Sequence, residues 1–175
     1  MFRLDGKTAL VSGASRGLGW GMAEALAKQG AHVFLNGRNL ASLEQRAVEL
    51  TSNGFLATVV AFDVTRSENV KQTIDQIVAS HGALDIVIAN AGIQHRSPIV
   101  DFNEDDFRRV MDTNLTSVWS MAKEASRHMI QSGGGRIIFT GSITADLGRA
   151  TISAYIASKG GVHALARQLA VELGG

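Results

Sequence analysis

Cysteine is missing from the 175-residue chain altogether, which excludes disulfides, thiolate nucleophiles and cysteine-bound zinc. A dominant sign of charge is missing too: Lys and Arg number 17, Asp and Glu 16, and the net charge is +1. No basic run is dense enough for nucleic acid or a membrane surface, so the partner to look for is a small molecule. Nor does any run reach the roughly 20 apolar residues of a membrane-spanning helix. The opening residues MFRLDGKTALVSG lack the cationic and then long apolar segments of a signal peptide, and the expectation is a cytoplasmic protein. Five histidines (His32, His81, His95, His128 and His163) are scattered without the spacing of metal ligands; they are read as surface or packed residues, and no metal is expected. Repeats, low-complexity tracts and linkers are lacking, and Pro98 is the only proline.

What is present describes a chain that folds. Apolar residues make up 45% and charged residues 19%, with a mean hydropathy of +0.09, the profile of a globular domain with a sizeable core. Short runs rich in Val, Ile and Phe read as strands: Thr8–Ser12, His32–Asn36, Leu56–Phe62, Asp85–Asn90 and Arg136–Gly141. Stretches with helical periodicity separate them, at Gly17–Gln29, Leu40–Thr51, Ser67–Ser80 and roughly Glu104–Gln131, with a last helix over about Ile152–Leu173. Thr65 or Ser67 is a candidate cap for the third helix, with Glu68 in its first turn. Gly30, Gly54, Gly82 and Gly133 fall where left-handed helix ends belong. Strands alternating with helices imply right-handed crossovers and a parallel sheet covered on both faces, hence a single doubly wound α/β domain over residues 1–175.

The turn after the first strand, SGASRGLGWG, places Gly13, Gly17 and Gly19 where a helix begins. Glycine there lets the backbone approach a pyrophosphate, and the helix start offers N–H donors and a partial positive charge. The spacing departs from G-x-G-x-x-G, so the strand-before, helix-after context carries the phosphate reading. An NAD site would place a carboxylate at the end of the second strand to hold the ribose hydroxyl. Here LNGRN presents Asn36, Gly37 and Arg38 with no acid, and Arg16 stands within the glycine turn. Two guanidinium groups suit the 2′-phosphate of NADP(H) in preference to NAD(H).

Tyr155 and Lys159, in SAYIASKGG, are one helical turn apart on the same face. Phenol and ammonium ordinarily titrate near ~10 and ~10.4, too high for acid–base work at neutral pH without help. An ammonium beside a phenol, with a helix start below it, favours phenolate and so allows proton exchange with a carbonyl or alcohol oxygen. On spacing alone the pair reads as a half-exposed aromatic next to a solvated lysine. Its company decides: Ser142 lies just past the fifth strand, at the carboxyl ends of the strands where ligands of such sheets sit. Asn90, Ala91 and Gly92 follow the fourth strand in the same way. Asn114 is a polar residue within an amphipathic helix, where the ordinary reading is an exposed surface position.

Together these residues resemble the short-chain dehydrogenases/reductases across the whole chain. SGASRGLG resembles the family's T-G-x-x-x-G-x-G turn with Ser12 in place of threonine, Asp63–Val64 its adenine-contacting segment, and NAG at Asn90–Gly92 its sheet-stabilising motif. Asn114, Ser142, Tyr155 and Lys159 fall on its catalytic tetrad. The resemblance implies a Rossmann fold with strand order 3-2-1-4-5. Tyr155 would be the general acid/base, Ser142 would hold the substrate oxygen, and Lys159 would bind the nicotinamide ribose and assist the tyrosine. Asn114 would position a water in a relay reaching Lys159. The implied cofactor contacts are Gly13, Ser15, Arg16, Gly17, Leu18, Gly19, Asn36, Arg38, Asp63, Val64, Asn90, Ala91, Gly92, Tyr155 and Lys159.

Within the family, LNGRN, NAGIQHRSP and LGRATISAYIASKG resemble members that interconvert 5-keto-D-gluconate and D-gluconate with NADP(H). Arg96 and Arg149 flank the expected mouth, and either suits a substrate carboxylate, alongside Ser142 and Tyr155. The alternatives are a 3-oxoacyl-carrier-protein reductase or another ketone reductase of the family, and, in a different class, a nucleotide-binding or dimerisation module without turnover. By the same resemblance the chain is expected to stop well short of full family length. It would then lack the strands after the fifth and the helices that cover substrate, leaving the fifth strand as an apolar edge. Full-length members would form a homo-oligomer, a dimer or tetramer.

Overall fold

The computed structural model describes residues 3–174. Five strands, β1 (Thr8–Val11), β2 (His32–Gly37), β3 (Ala57–Ala61), β4 (Ile86–Ala89) and β5 (Arg136–Phe139), form one parallel sheet in the order β3-β2-β1-β4-β5. The helices are α1 (Gly17–Lys28), α2 (Leu40–Thr51), α3 (Ser67–His81), α4 (Glu104–Met111), α5 (Ser117–Gln131) and α6 (Ser153–Leu173). The order reverses beside β1, where β2 and β3 lie on one side and β4 and β5 on the other. That is the switch point at which such sheets open a crevice for ligands.

Period-two alternation along the central strands divides the interior into two cores. Leu10, Phe34, Val87 and Ala89 face one side, against Val70, Ile74 and Ile77 of α3, Val118 and Met121 of α5 and Val162 of α6. Ala9, Val11, Val33, Leu35, Ile86 and Ile88 face the other, against Ala23 and Ala27 of α1 and Leu43 and Leu50 of α2. Each fully buried Leu, Ile or Val is worth roughly 1.5–3 kcal/mol, so the two-sided burial of β1 and β4 holds the middle of the sheet most firmly. Those are the strands whose carboxyl ends carry the glycine turn and Asn90.

The periodic stretch after Asn103 is one continuous rod with a wider π turn, Asp112–Thr116, set between α4 and α5. The side chain of Asn103 starts it, accepting from the N–H groups of Asp105 and Asp106. At α3, neither Thr65 nor Ser67 makes the expected cap. Arg66 holds that position without a side-chain bond, because the backbone N–H and hydroxyl of Thr65 both donate to Asp63 Oδ1, at 2.9 and 2.8 Å. Gly30, Gly54, Gly82 and Gly133 all adopt positive φ, as left-handed helix ends require.

Candidate active site

Around the switch point the sheet opens into a cleft of about 940 Å³. One end is walled by Gly13, Ser15, Arg16, Gly17, Leu18 and Gly19, by Asn36 and Arg38, and by Asp63 and Val64. Asn90, Ala91 and Gly92 form its floor, and Tyr155 and Lys159 line the other end. Every residue expected at the cofactor therefore borders one space.

The glycine turn is shaped for close approach. Gly13 and Gly17 hold φ of +66° and +58°, which only glycine adopts without strain. A methyl group on Gly19 would run into the Gly13 carbonyl and come within 2.5 Å of Asn90 Nδ2, so the absent side chain is what lets α1 start against the sheet. Asn39 and Asn103 cap α2 and α4 with their side chains, but the Arg16 cap of α1 makes no such bond. The first N–H groups of α1 thus point toward the cleft without a side-chain acceptor, flanked by exposed Arg16 and Arg38, an arrangement built for phosphate. Opposite them, burial alone would raise the Asp63 pKa, but hydrogen bonds from Thr65 and the nearby Arg38 and Arg66 outweigh it and hold the carboxyl below its ordinary range.

A ladder of hydrogen bonds ties the catalytic end together. Ser12 Oγ accepts from the N–H groups of Asn90 and Ala91 at 2.9 and 3.0 Å. Asn90 Nδ2 donates to the Ser12 carbonyl at 3.0 Å, and Asn90 Oδ1 accepts from Thr140 Oγ1 at 3.2 Å. Lys159 Nζ in turn donates to the Thr140 carbonyl at 2.6 Å. The ends of β1, β4 and β5 and the face of α6 are so linked through four side chains. Lys159 is only 3% exposed, and this burial pushes its pKa below the ordinary lysine range. Its ammonium sits 5.8 Å from the centre of the Tyr155 ring, and Tyr155 is the third residue of α6, within the reach of the helix's positive end.

Asn114 is the main departure from expectation. It is wholly buried, not on the surface, and stands inside the π turn. Its Oδ1 accepts from the Ile93 N–H at 2.8 Å, while Nδ2 donates to the Ile93 carbonyl at 2.9 Å and to Ser158 Oγ at 3.2 Å. The amide thus clamps the loop after β4 to α6, and Lys159 is not among its partners. Ser142 opens the loop after β5, where its Oγ bonds Thr144 Oγ1 at 2.8 Å. Ser142, Arg96 and Arg149 do not border the cleft itself. The two arginines occupy exposed loops at the mouth, joined where the Ser97 N–H donates to the Thr151 carbonyl at 2.9 Å.

Sequence reasoning missed Thr140 and Ser158, which hold Lys159 and Asn114. Thr140 stood in plain view two residues before Ser142, but its hold on Lys159 runs through a backbone carbonyl, which leaves no mark on residue type. Among the described residues no group of three His, Asp or Glu side chains is arranged to hold a metal, and no helix is long and apolar enough to cross a membrane.

A parallel sheet, a glycine turn opening a cleft, and a Tyr–Lys pair facing it are the parts of a nucleotide-dependent dehydrogenase. The family model for short chain dehydrogenase matches residues 7–175, and the chain belongs to that family, oxidoreductases that bind a nicotinamide cofactor. Gluconate 5-dehydrogenase of Gluconobacter oxydans (strain 621H) is 40% identical over 174 residues, which span 99% of this chain and 68% of the relative. A solved gluconate 5-dehydrogenase from Burkholderia cenocepacia J2315, in complex with NADP and tartrate, superposes with a TM-score of 0.94 at 39% identity, covering 99% of this chain and 68% of that one. Versicolorin reductase stcU of Emericella nidulans is 41% identical over 175 residues, 99% of this chain and 66% of the relative.

Proposed function

We propose that the protein is an NADP(H)-dependent oxidoreductase interconverting a ketone and a secondary alcohol, with 5-keto-D-gluconate and D-gluconate as the substrate pair. The observation that carries this reading is the shared cleft: Tyr155 and buried Lys159 at one end, the uncapped start of α1 with Arg16 and Arg38 at the other. The residues fit a dinucleotide. The volume suffices, Gly17 leaves open space above the helix start, and two guanidiniums with no carboxylate at the end of β2 suit a 2′-phosphate.

When bound, the nicotinamide supplies or accepts the hydride at the substrate carbon. The chain's own work is proton transfer and positioning. In reduction, the Tyr155 hydroxyl gives its proton to the carbonyl oxygen as the carbon becomes an alcohol carbon; in oxidation it takes the proton back. The Lys159 ammonium beside the ring stabilises the phenolate left behind, and its bond to Thr140 keeps it at that distance. Ser142 donates to the substrate oxygen from the loop above. Arg96 and Arg149, on joined loops at the mouth, hold the carboxylate of the sugar acid. We assign the protein to the cytoplasm, as a homo-oligomer.

Tyr155→Phe tests the assignment. NADPH binding by fluorescence titration is retained, while turnover of 5-ketogluconate falls at least about a hundredfold, the usual yield of a positioned acid–base group. Activity kept within a few fold would remove Tyr155 from this role. Arg96→Ala or Arg149→Ala raises KM for 5-ketogluconate, and an unchanged KM in both excludes the carboxylate contact. The 41% identity to versicolorin reductase favours one other reading, reduction of a ketone that is not a sugar acid, so the assay runs a panel of ketones beside the sugar acid. NADPH binding without turnover of any member would mark a non-catalytic nucleotide-binding module.

A further inference from the structure

Tyr155, Lys159 and His163 recur every fourth residue along α6 and so share one face of it. The first two belong to the reading above. The Nε2 edge of the His163 ring faces Gly141, where a methyl group would come within 2.5 Å of Nε2, so that glycine is what admits the ring to the loop after β5. There Nε2 accepts from the Ser142 backbone N–H at 3.4 Å. With Nε2 as acceptor the ring proton sits on Nδ1, which faces the Asp146 carboxylate 3.8 Å away. His163 therefore meets both ends of the short turn that Ser142 begins and Asp146 closes.

We propose that His163 is a positioning residue for Ser142: it fixes the loop backbone so that the serine hydroxyl and the Tyr155 hydroxyl meet at one substrate oxygen. The geometry explains why a second grip is needed. Lys159 holds the Thr140 carbonyl and His163 holds the Ser142 N–H, so α6 seizes the same three residues of backbone from either end. Without the second grip Ser142 is tied to the end of β5 only through Thr140, since its other bonds, from the Ala145 N–H to its carbonyl and between its hydroxyl and Thr144, stay within its own turn. A misplaced donor lowers the chemical step more than it lowers cofactor binding, because the dinucleotide lies along α1 and β2. The inference rests on the dehydrogenase reading of the site.

The test compares His163→Gln with His163→Met in the complete gene product. The two side chains have nearly the same length and volume, but only glutamine brings an acceptor to the place of Nε2. With methionine, kcat falls about tenfold, as the loss of one hydrogen bond at a reacting group allows, and Kd for NADPH shifts less than about twofold. Glutamine restores kcat to within about threefold of the parent, and hydrogen exchange at the Ser142 amide, fast in the methionine variant, slows again. Equal kcat in the two variants, or equal exchange at Ser142, overturns the proposal. A parent protein without turnover on any ketone would sink the dehydrogenase reading instead, and Ser142 exchange would still decide whether His163 holds the loop.

Discussion

Arg38 stands at the end of β2, where an NAD enzyme would carry a carboxylate, and lies exposed with Arg16 at the same end of the cleft. A guanidinium there favours a phosphate on the ribose, and a carboxylate would repel it. Arg38→Asp is accordingly expected to weaken NADPH binding about tenfold to a hundredfold, the span of one lost charge-assisted contact, and to leave NADH binding nearly unchanged. Parallel fluorescence titrations decide it, and equal losses for both cofactors would remove Arg38 from the discrimination. Sequence placed this residue beside the cleft because its position follows from its place after a strand. Asn114 shows the opposite case. The resemblance placed it at the site, but the residues alone read it as a surface position, since nothing in an amphipathic pattern says that an asparagine is satisfied by the backbone of a distant loop.

Helix α1 owes its position to glycine. At Gly19 an added methyl group meets the Gly13 carbonyl and Asn90 Nδ2, whereas at Gly21, two residues on, it meets nothing. Gly19→Ala should therefore destabilise the protein by about 1–3 kcal/mol through overpacking and weaken NADPH binding. Gly21→Ala, in the same helix with open space, should stabilise it by about 0.5–1 kcal/mol. Denaturant melts of the two variants separate these effects, and equal shifts would mean that the turn tolerates a side chain. The elements themselves were legible, since apolar runs marked all five strands and α2 falls on Leu40–Thr51 as expected. What periodicity could not register was the π turn, one residue too many inside a long helical pattern, or the diversion of Thr65 to Asp63. Both are contests between neighbouring groups that the chain settles only once it is packed.

Across the whole molecule, acid acts first at the far end of the sheet from the cleft. His32, at the start of β2, stacks on Phe34 with ring centres 4.8 Å apart, meets His81 of α3 edge-on at 4.7 Å, and shares a hydrogen bond with Thr58 of β3. Burial, and then the neighbouring His81, lower the His32 pKa. The folded state then binds fewer protons than the unfolded one, and stability is full above the ordinary histidine value near ~6.5 and declines as pH falls below it. Asp63, Asp75 and Asp85, all held below the carboxylate range, add a second loss at lower pH. Denaturation midpoints measured from pH 8 to 5 should show the first decline in the parent and a flatter profile in His32→Gln; matching profiles would assign the decline to other groups. At one edge of the sheet, β5 pairs with β4 alone among the described residues; Ile138 is half exposed, and Ile137 and Phe139 line an apolar groove of about 620 Å³. That is the open strand anticipated from the sequence.

The π turn at Asp112–Thr116 also has a meaning for direction. An α-helix advances about 100° per residue, so one extra residue rotates everything after it by that angle relative to everything before. Arg108, Arg109 and Asp112 line the cleft, while Val118, Met121, Ala125 and Met129 pack in the core with α3 and β4. A single continuous rod thus behaves like a shaft with two lobes set out of phase. One lobe is timed to the nucleotide cleft and the other to the core, and Asn114 is the key that locks the angle between them.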